Sequence, residues 1–139
     1  MKKINSLTLG FLFIISFGVS AQTSSSDSTK KSECDEIFTY VEEMPQFPGG
    51  EGEMYKFIEE NIKYPKMAQD SGIQGAVYVR FIISDIGLIS HVEILRGMDG
   101  GCSEEAKRVV KAMPLWKSGK QNGTPVCVYY TLPIRFTLK

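Results

Sequence analysis

The stretch VCVYYTLPIRFTL, residues 126–138, decides the fold. Val126, Val128, Tyr130, Leu132, Ile134, Phe136 and Leu138 alternate without a break with Cys127, Tyr129, Thr131, Pro133, Arg135 and Thr137. Side chains of an extended chain point to opposite faces in turn, so this pattern predicts a long strand with one packed face. Pro133 lies inside the strand and Pro125 at its start. Proline has no N–H to give to a ladder and belongs on a sheet edge. A long edge strand leaves backbone donors and acceptors unpaired, a hazard unless it is managed or used. Two readings follow. Either the prolines blunt the edge, or the edge pairs with an extended peptide by β-strand addition.

Working backwards, Asn122-Gly123 marks the turn before this strand. Ala106, Val109, Val110 and Met113 fall at i, i+3, i+4 and i+7, the core stripe of a helix that Pro114 stops. Ser103 is placed to cap that helix, with Glu104 and Glu105 favourable against its N-terminal dipole. Val77, Val79, Phe81 and Ile83 alternate with their neighbours as a strand, and Ser84 to Gly87 turns the chain into a returning strand, Leu88 to Leu95. Ile89 is out of phase with Val92 and Ile94, which predicts a bulge. Gly52 to Ile62 has helical spacing, ended by Tyr64-Pro65, and Lys66 to Asp70 makes a further short turn of helix. Pro45, Pro48, Gly49 and Gly50 form a rigid turn ahead of the longer helix, and Ile37 to Val41 reads as a short strand. The expected class is α+β: a two-layer sandwich, an antiparallel sheet with helices packed on one face.

The N-terminus has a different character. Lys2 and Lys3, the apolar run Leu7 to Val19 and the small residues Val19-Ser20-Ala21 read as a signal peptide cleaved after Ala21. Residues 22–36 are rich in Ser, Thr, Asp and Lys and read as a flexible tether, reaching at most about 50 Å. The domain itself is expected over 37–139. Export would expose Cys34, Cys102 and Cys127 to an oxidising compartment, where three cysteines allow at most one internal bridge. The layer geometry argues against an obligatory Cys102–Cys127 pair, because Cys102 precedes a helix on the apolar face while alternation turns Cys127 the other way.

The 16 basic and 16 acidic residues balance, and this neutrality argues against a nucleic-acid surface. His91 is the only histidine, sits in a strand and has no flanking catalytic signature. Glu59-Glu60 and Glu104-Glu105 are adjacent and splay apart on a helix. Gly97 to Gly101 lacks the Gly-Lys-Ser/Thr of a phosphate loop. The cysteines have no metal-ligand spacing. No catalytic residue, metal site or cofactor is expected, and the chain does not read as an enzyme.

Several motifs in order resemble the TonB C-terminal domain family: Tyr64-Pro65, Ala68, Gly72-Ile73-Gln74-Gly75, Val77 to Phe81, Arg96-Gly97, Glu105 to Val110, Met113 to Lys117, Gly119 to Gly123 and Tyr130 to Phe136. Met44 to Gly50 is similar to an extension found before the domain in one branch. The resemblance implies a periplasmic module of TonB-dependent transport, whose last strand pairs with the TonB box of an outer-membrane receptor. Carried over, the peptide-binding edge is Val126, Cys127, Val128, Tyr129, Tyr130, Thr131 and Leu132. Asn61, Tyr64 and Pro65 form a second contact region. A full transducer of the family has an uncleaved anchor and a long proline-rich spacer, so the leader and short tether imply a stand-alone exported form. The alternative is a periplasmic adaptor or signalling module with another protein or cell-wall partner. Exposed edges in so small a domain also permit a homodimer.

Overall fold

The computed structural model describes residues 34–139; the expected leader, 1–21, and the tether up to residue 33 lie outside them. The elements run β1 (Ile37–Phe38), α1 (Glu51–Asn61), α2 (Lys66–Asp70), β2 (Gly75–Ile83), β3 (Ile89–Arg96), α3 (Cys102–Lys111), β4 (Gly119–Gln121) and β5 (Thr124–Phe136). The strands are ordered β1-β5-β2-β3, with β4 also paired to β5. The architecture is α+β, as the alternation and helical spacings imply. The sheet is mixed, however, because β1 lies parallel to β5 while the other pairings are antiparallel.

The backbone of the sheet is the β2–β5 ladder, unbroken from Gly75↔Phe136 to Ile83↔Val128. Val77, Val79, Phe81 and Ile83 project from β2, and Leu132, Ile134 and Phe136 from β5, onto one buried face. The helices cover that face. Met54 and Ile58, one turn apart on α1, and Cys102, Ala106, Val109 and Val110 on α3 complete the same cluster. Burying a side chain such as Met54 or Ile58 contributes about 1.5–3 kcal/mol. Among the described residues no helix is long and apolar enough to cross a membrane.

The expected bulge in β3 is present, and there are two. One extra residue enters between Ser90 and Glu93, where His91 takes φ 51°, and a second between Ile94 and Arg96. The capping expectation for Ser103 does not hold. The N-cap of α3 is Gly101, with no side-chain cap bond, and the Ser103 hydroxyl instead accepts from Met98 N–H (2.9 Å) and donates to Met98 C=O (3.0 Å). Gly101 reaches φ 91°, a left-handed conformation that lets the chain enter the helix two residues earlier than a Ser103 cap would. Glu104 and Glu105 do occupy the first turn and Arg108 and Lys111 the last, in the sense the helix dipole favours.

The β2–β3 turn positions the aromatic centre of the core. The Ser84 hydroxyl accepts N–H bonds from Ile86 (3.2 Å) and Leu88 (3.1 Å), and Gly87 takes φ 85°. The Gly87 carbonyl then accepts the Trp116 N–H at 2.9 Å. Trp116 packs edge-on against Phe47, Phe81 and Tyr130, with ring centroids 4.9–5.7 Å apart.

Candidate functional site: an open strand edge

The two sides of β5 are occupied differently. One side carries β2 over Val128–Phe136 and, further towards its start, the hairpin partner β4, with Gly119↔Val126 to Gln121↔Thr124. The hairpin turn is Asn122-Gly123, both at positive φ (52° and 76°), a geometry matched to the strand twist. β1 also pairs with β5, but only at Ile37↔Cys127 and Phe38↔Val128. Beyond Tyr129 the only strand paired with β5 among the described residues is β2, so its second edge has no strand partner there, although Thr39 and Met44 flank a hollow beside Tyr129–Thr131.

Which backbone groups face that edge follows from the register. In an antiparallel ladder, residues that bond the partner alternate with residues that face away. Pro133 stands opposite Tyr78 and has no N–H, so in an unbroken ladder it belongs to the set facing away. Just beyond the strand, Leu138 has the opposite parity and donates its N–H to Gln74 Oε1, at the start of β2 (3.0 Å). The parallel pairing of Phe38 with Val128 already takes the Tyr129 N–H, which donates to the Phe38 carbonyl. Thr131 and Arg135 therefore offer N–H and C=O to the open side, and Tyr129 and Pro133 offer C=O alone. The side chains of Thr131 and Arg135 are exposed, while Tyr129 is half-buried beneath the Arg80 guanidinium, 4.8 Å from its ring centre. Arg80 is held there by Glu93 on β3.

This geometry displaces the stretch expected from the sequence. Val126 is paired to β4, Cys127 is bonded to Cys34, and Val128 lies between β2 and β1. Of the seven β5 positions carried over from the resemblance, Tyr129, Tyr130, Thr131 and Leu132 lie along the bare edge, which continues past them to Phe136. Tyr130 and Leu132 turn their backbone towards β2 and their side chains towards the helix layer. Burial, with Glu51 and Tyr55 close by, pushes the Tyr130 phenol above its ordinary pKa. The Cys34–Cys127 bridge lay beyond local pattern, since its cysteines are 93 residues apart. Cys102 is free and buried, and burial pushes its thiol pKa up.

A cleft of about 790 Å³ runs beside the far end of this edge, between α1 and the end of β5. Its walls include Tyr55, Ile58, Ile62, Tyr64, Ile134 and Phe136. Of the second contact region, Tyr64 alone lines the cleft. Its ring meets Phe136 edge-on at 5.6 Å and its hydroxyl donates to the Ile73 carbonyl. Asn61 and Pro65 are engaged elsewhere. The Asn61 carboxamide turns back to donate to Phe57 C=O (2.8 Å), and the Asn61 backbone carbonyl accepts from Arg108 Nη2 (2.7 Å). The Pro65 ring lies against Gly101. Glu105 joins the same cluster, accepting from Arg108 and from Lys63 N–H (2.7 Å), and the Arg108 guanidinium holds its carboxyl below the usual range. The Asn61–Pro65 segment is thus tied to α3.

His91 sits exposed at the first β3 bulge, its ring within 3.2 Å of Ser90 Oγ. Among the described residues no three His, Cys, Asp or Glu side chains gather as a metal site would require.

Fold and site together define a small sheet-and-helix domain in which one side of the longest strand has no strand partner over its second half. Residues 60–138, more than half of the chain, match the family model described as Gram-negative bacterial TonB protein C-terminal. The chain belongs to this family. Two solution structures of the Helicobacter pylori TonB C-terminal domain are similar to it. That of residues 194–285 is 26% identical with a TM-score of 0.49, covering 63% of this chain and 92% of that one. That of residues 179–285 is 25% identical with a TM-score of 0.47, covering 66% and 87%. No curated protein matches the chain. β1 and nearly all of α1 precede the matched residues.

Proposed function

We propose that this protein is a non-enzymatic periplasmic module that binds the TonB box of an outer-membrane receptor by β-strand addition along Tyr129–Phe136, in TonB-dependent transport. The observation that carries this reading is the unpaired side of β5, with two N–H groups, those of Thr131 and Arg135, and four carbonyls turned outward beside an apolar cleft. β3, the opposite edge of the sheet, is a poorer template. Its two bulges break the even spacing of donors and acceptors, a common way of protecting an edge from pairing.

Backbone pairing supplies most of the affinity in this mode, and side chains supply selectivity. Thr131→Pro and Arg135→Pro each delete one outward donor without touching the β2 ladder. Leaving the guest carbonyl without its partner costs about 1–3 kcal/mol, a loss of roughly 5- to 150-fold in affinity. Tyr129→Ala keeps both donors and should change affinity far less. Calorimetric titration with TonB-box peptides, on variants whose thermal unfolding shows them folded, tests this. Binding that survives both proline variants refutes edge recognition, and a wild-type protein silent at millimolar peptide favours an adaptor with another partner.

A further inference from the structure

We infer that the Cys34–Cys127 bridge is a register stop for the guest strand: it pins residues 34–38 on the open side of β5 and makes Thr131 the first position whose N–H a guest can pair with. The inference rests on the edge-recognition reading and concerns where along the edge the guest sits.

Three observations combine. First, the arm uses the side of β5 a guest would need, since β1 pairs at Cys127 and Val128 on the strand whose remaining outer edge is bare. Second, β1 is two residues long, and both are only half-buried. So short a ladder is not stable by itself; the covalent bond to Cys127 supplies the attachment. Cys127 points away from the helix layer, yet it is buried, as a residue covered by the arm should be. Third, the chain makes no strand pairing with this edge after Phe38. Thr39 and Tyr40 are exposed, Thr39 and Met44 flank a hollow beside Tyr129–Thr131, and the chain next bridges the far side of β4 at Glu43↔Lys120. Backbone donors on the edge are therefore taken through Tyr129 and free from Thr131.

A stop is needed because a strand edge alone fixes register poorly. Moving a guest by two residues restores the same pattern of backbone bonds and the same facing of side chains. What such a slip changes is the guest side chain that lies beside Ile134 and Phe136, at the cleft lined by Tyr55, Ile58 and Tyr64. A fixed arm forbids the slip towards Cys127 and so selects which guest residue meets the cleft. Cys34 and Cys127 act here as positioning residues through the arm; neither needs to touch the guest.

The test uses a guest with no register of its own, an acetylated and amidated ten-residue repeat of threonine and valine with a nitroxide at its N-terminus. Backbone amide spectra of the full chain are recorded with it, for wild type and for Cys34→Ser/Cys127→Ser. In wild type, amide protection on binding should appear at Thr131 and Arg135, paramagnetic broadening should fit one position of the label, and Phe38 and Tyr129, bonded across the arm, should keep their protection. In the double variant Phe38 and Tyr129 should lose protection in the free protein, and the broadening should spread over positions two residues apart, reaching Val126–Val128. Cys34→Ser alone, which leaves Cys127 in place, serves if the double variant does not fold. One and the same register in wild type and variant overturns the inference while leaving edge recognition intact. Loss of Phe38 protection when wild type binds the guest also overturns it, because the guest then displaces the arm. No binding by either protein sinks the edge-recognition reading and the register stop with it.

Discussion

Phe81→Ala tests the facing of the central strand, on which the placement of every β5 side chain depends. Phe81 is 0% exposed, and its ring lies 5.7 Å from both Trp116 and Tyr130. An aromatic side chain of this kind buries about 150–250 Å². At about 25 cal/mol per Å² that is roughly 4–6 kcal/mol, an upper figure because the unfolded chain already hides part of that area. Measured Phe→Ala substitutions in cores cost about 3–5 kcal/mol, so about 4 kcal/mol is expected. For a domain of about 100 residues each kcal/mol moves Tm by roughly 4–5 °C, a drop of about 15–20 °C. Tyr78, three residues earlier and on the other face, is 37% exposed, so Tyr78→Ala should cost under about 1 kcal/mol. Trp116 is the only tryptophan and touches Phe81, so its fluorescence in urea follows both variants cleanly. A Phe81→Ala cost within about 0.5 kcal/mol, the range of surface sites, would mean that β2 presents its other face to the helices.

Gly87→Ala should destabilise by about 3 kcal/mol or more, because φ is 85° and a Cβ there would overlap the Trp116 carbonyl; Gly123→Ala, at φ 76° in open space, should cost about 1–2 kcal/mol, and equal losses in urea melts would refute the clash. Thiol titration without reductant should find no reactive thiol in the folded protein and one, Cys102, after denaturation; three would contradict the bridge. Glu105 should make stability acid-sensitive. Its folded pKa is lowered, chiefly by the hydrogen bond from Arg108, so its contribution is present above the unfolded value of about 4.3 and is lost as pH falls through that value towards the folded one. Glu105→Gln should therefore be less stable than wild type at pH 7, with the gap closing in acid; a gap independent of pH would assign the effect to packing.

What the sequence made legible was periodic and local. The 126–138 alternation placed the core-facing residues of β5, the i, i+3, i+4, i+7 stripe placed Ala106, Val109, Val110 and Met113, and the phase break at Ile89 foretold a bulge. The α+β class followed from these. What escaped was set by contacts between distant segments. Nothing near Ile37 announces a partner at Cys127, and a two-residue parallel bridge has no periodicity to read. For the same reason the edge looked continuous from Val126, whereas Val126 faces β4 on the β2 side and β1 covers the open side at Cys127 and Val128. Ser103 has the composition of a cap, but a residue's chemistry does not fix its helix position. Gly101 enters the helix earlier, leaving the hydroxyl to brace Met98. Asn61 and Pro65 lie beside Tyr64 in sequence, but packing against α3 turns them away from the cleft it lines.

The proposed recognition edge depends on the side of β5 that a guest would never touch. An edge that bonds through its backbone discriminates well only if that backbone is already straight and immobile, since ordering it on binding would subtract from affinity. Leu132, Ile134 and Phe136 are almost fully buried under the helices, and every residue from Val128 to Phe136 is paired to β2 without a register shift. Residues of the other parity, Tyr129, Thr131, Pro133 and Arg135, then present their free groups from a strand that the core holds in place. β3 lacks this backing. Its residues are half-buried or exposed throughout, and its bulges re-aim its backbone groups. The alternation that makes β5 a core strand on one face is thus also what holds its outer edge rigid, and the same residues that stabilise the fold set the geometry of pairing.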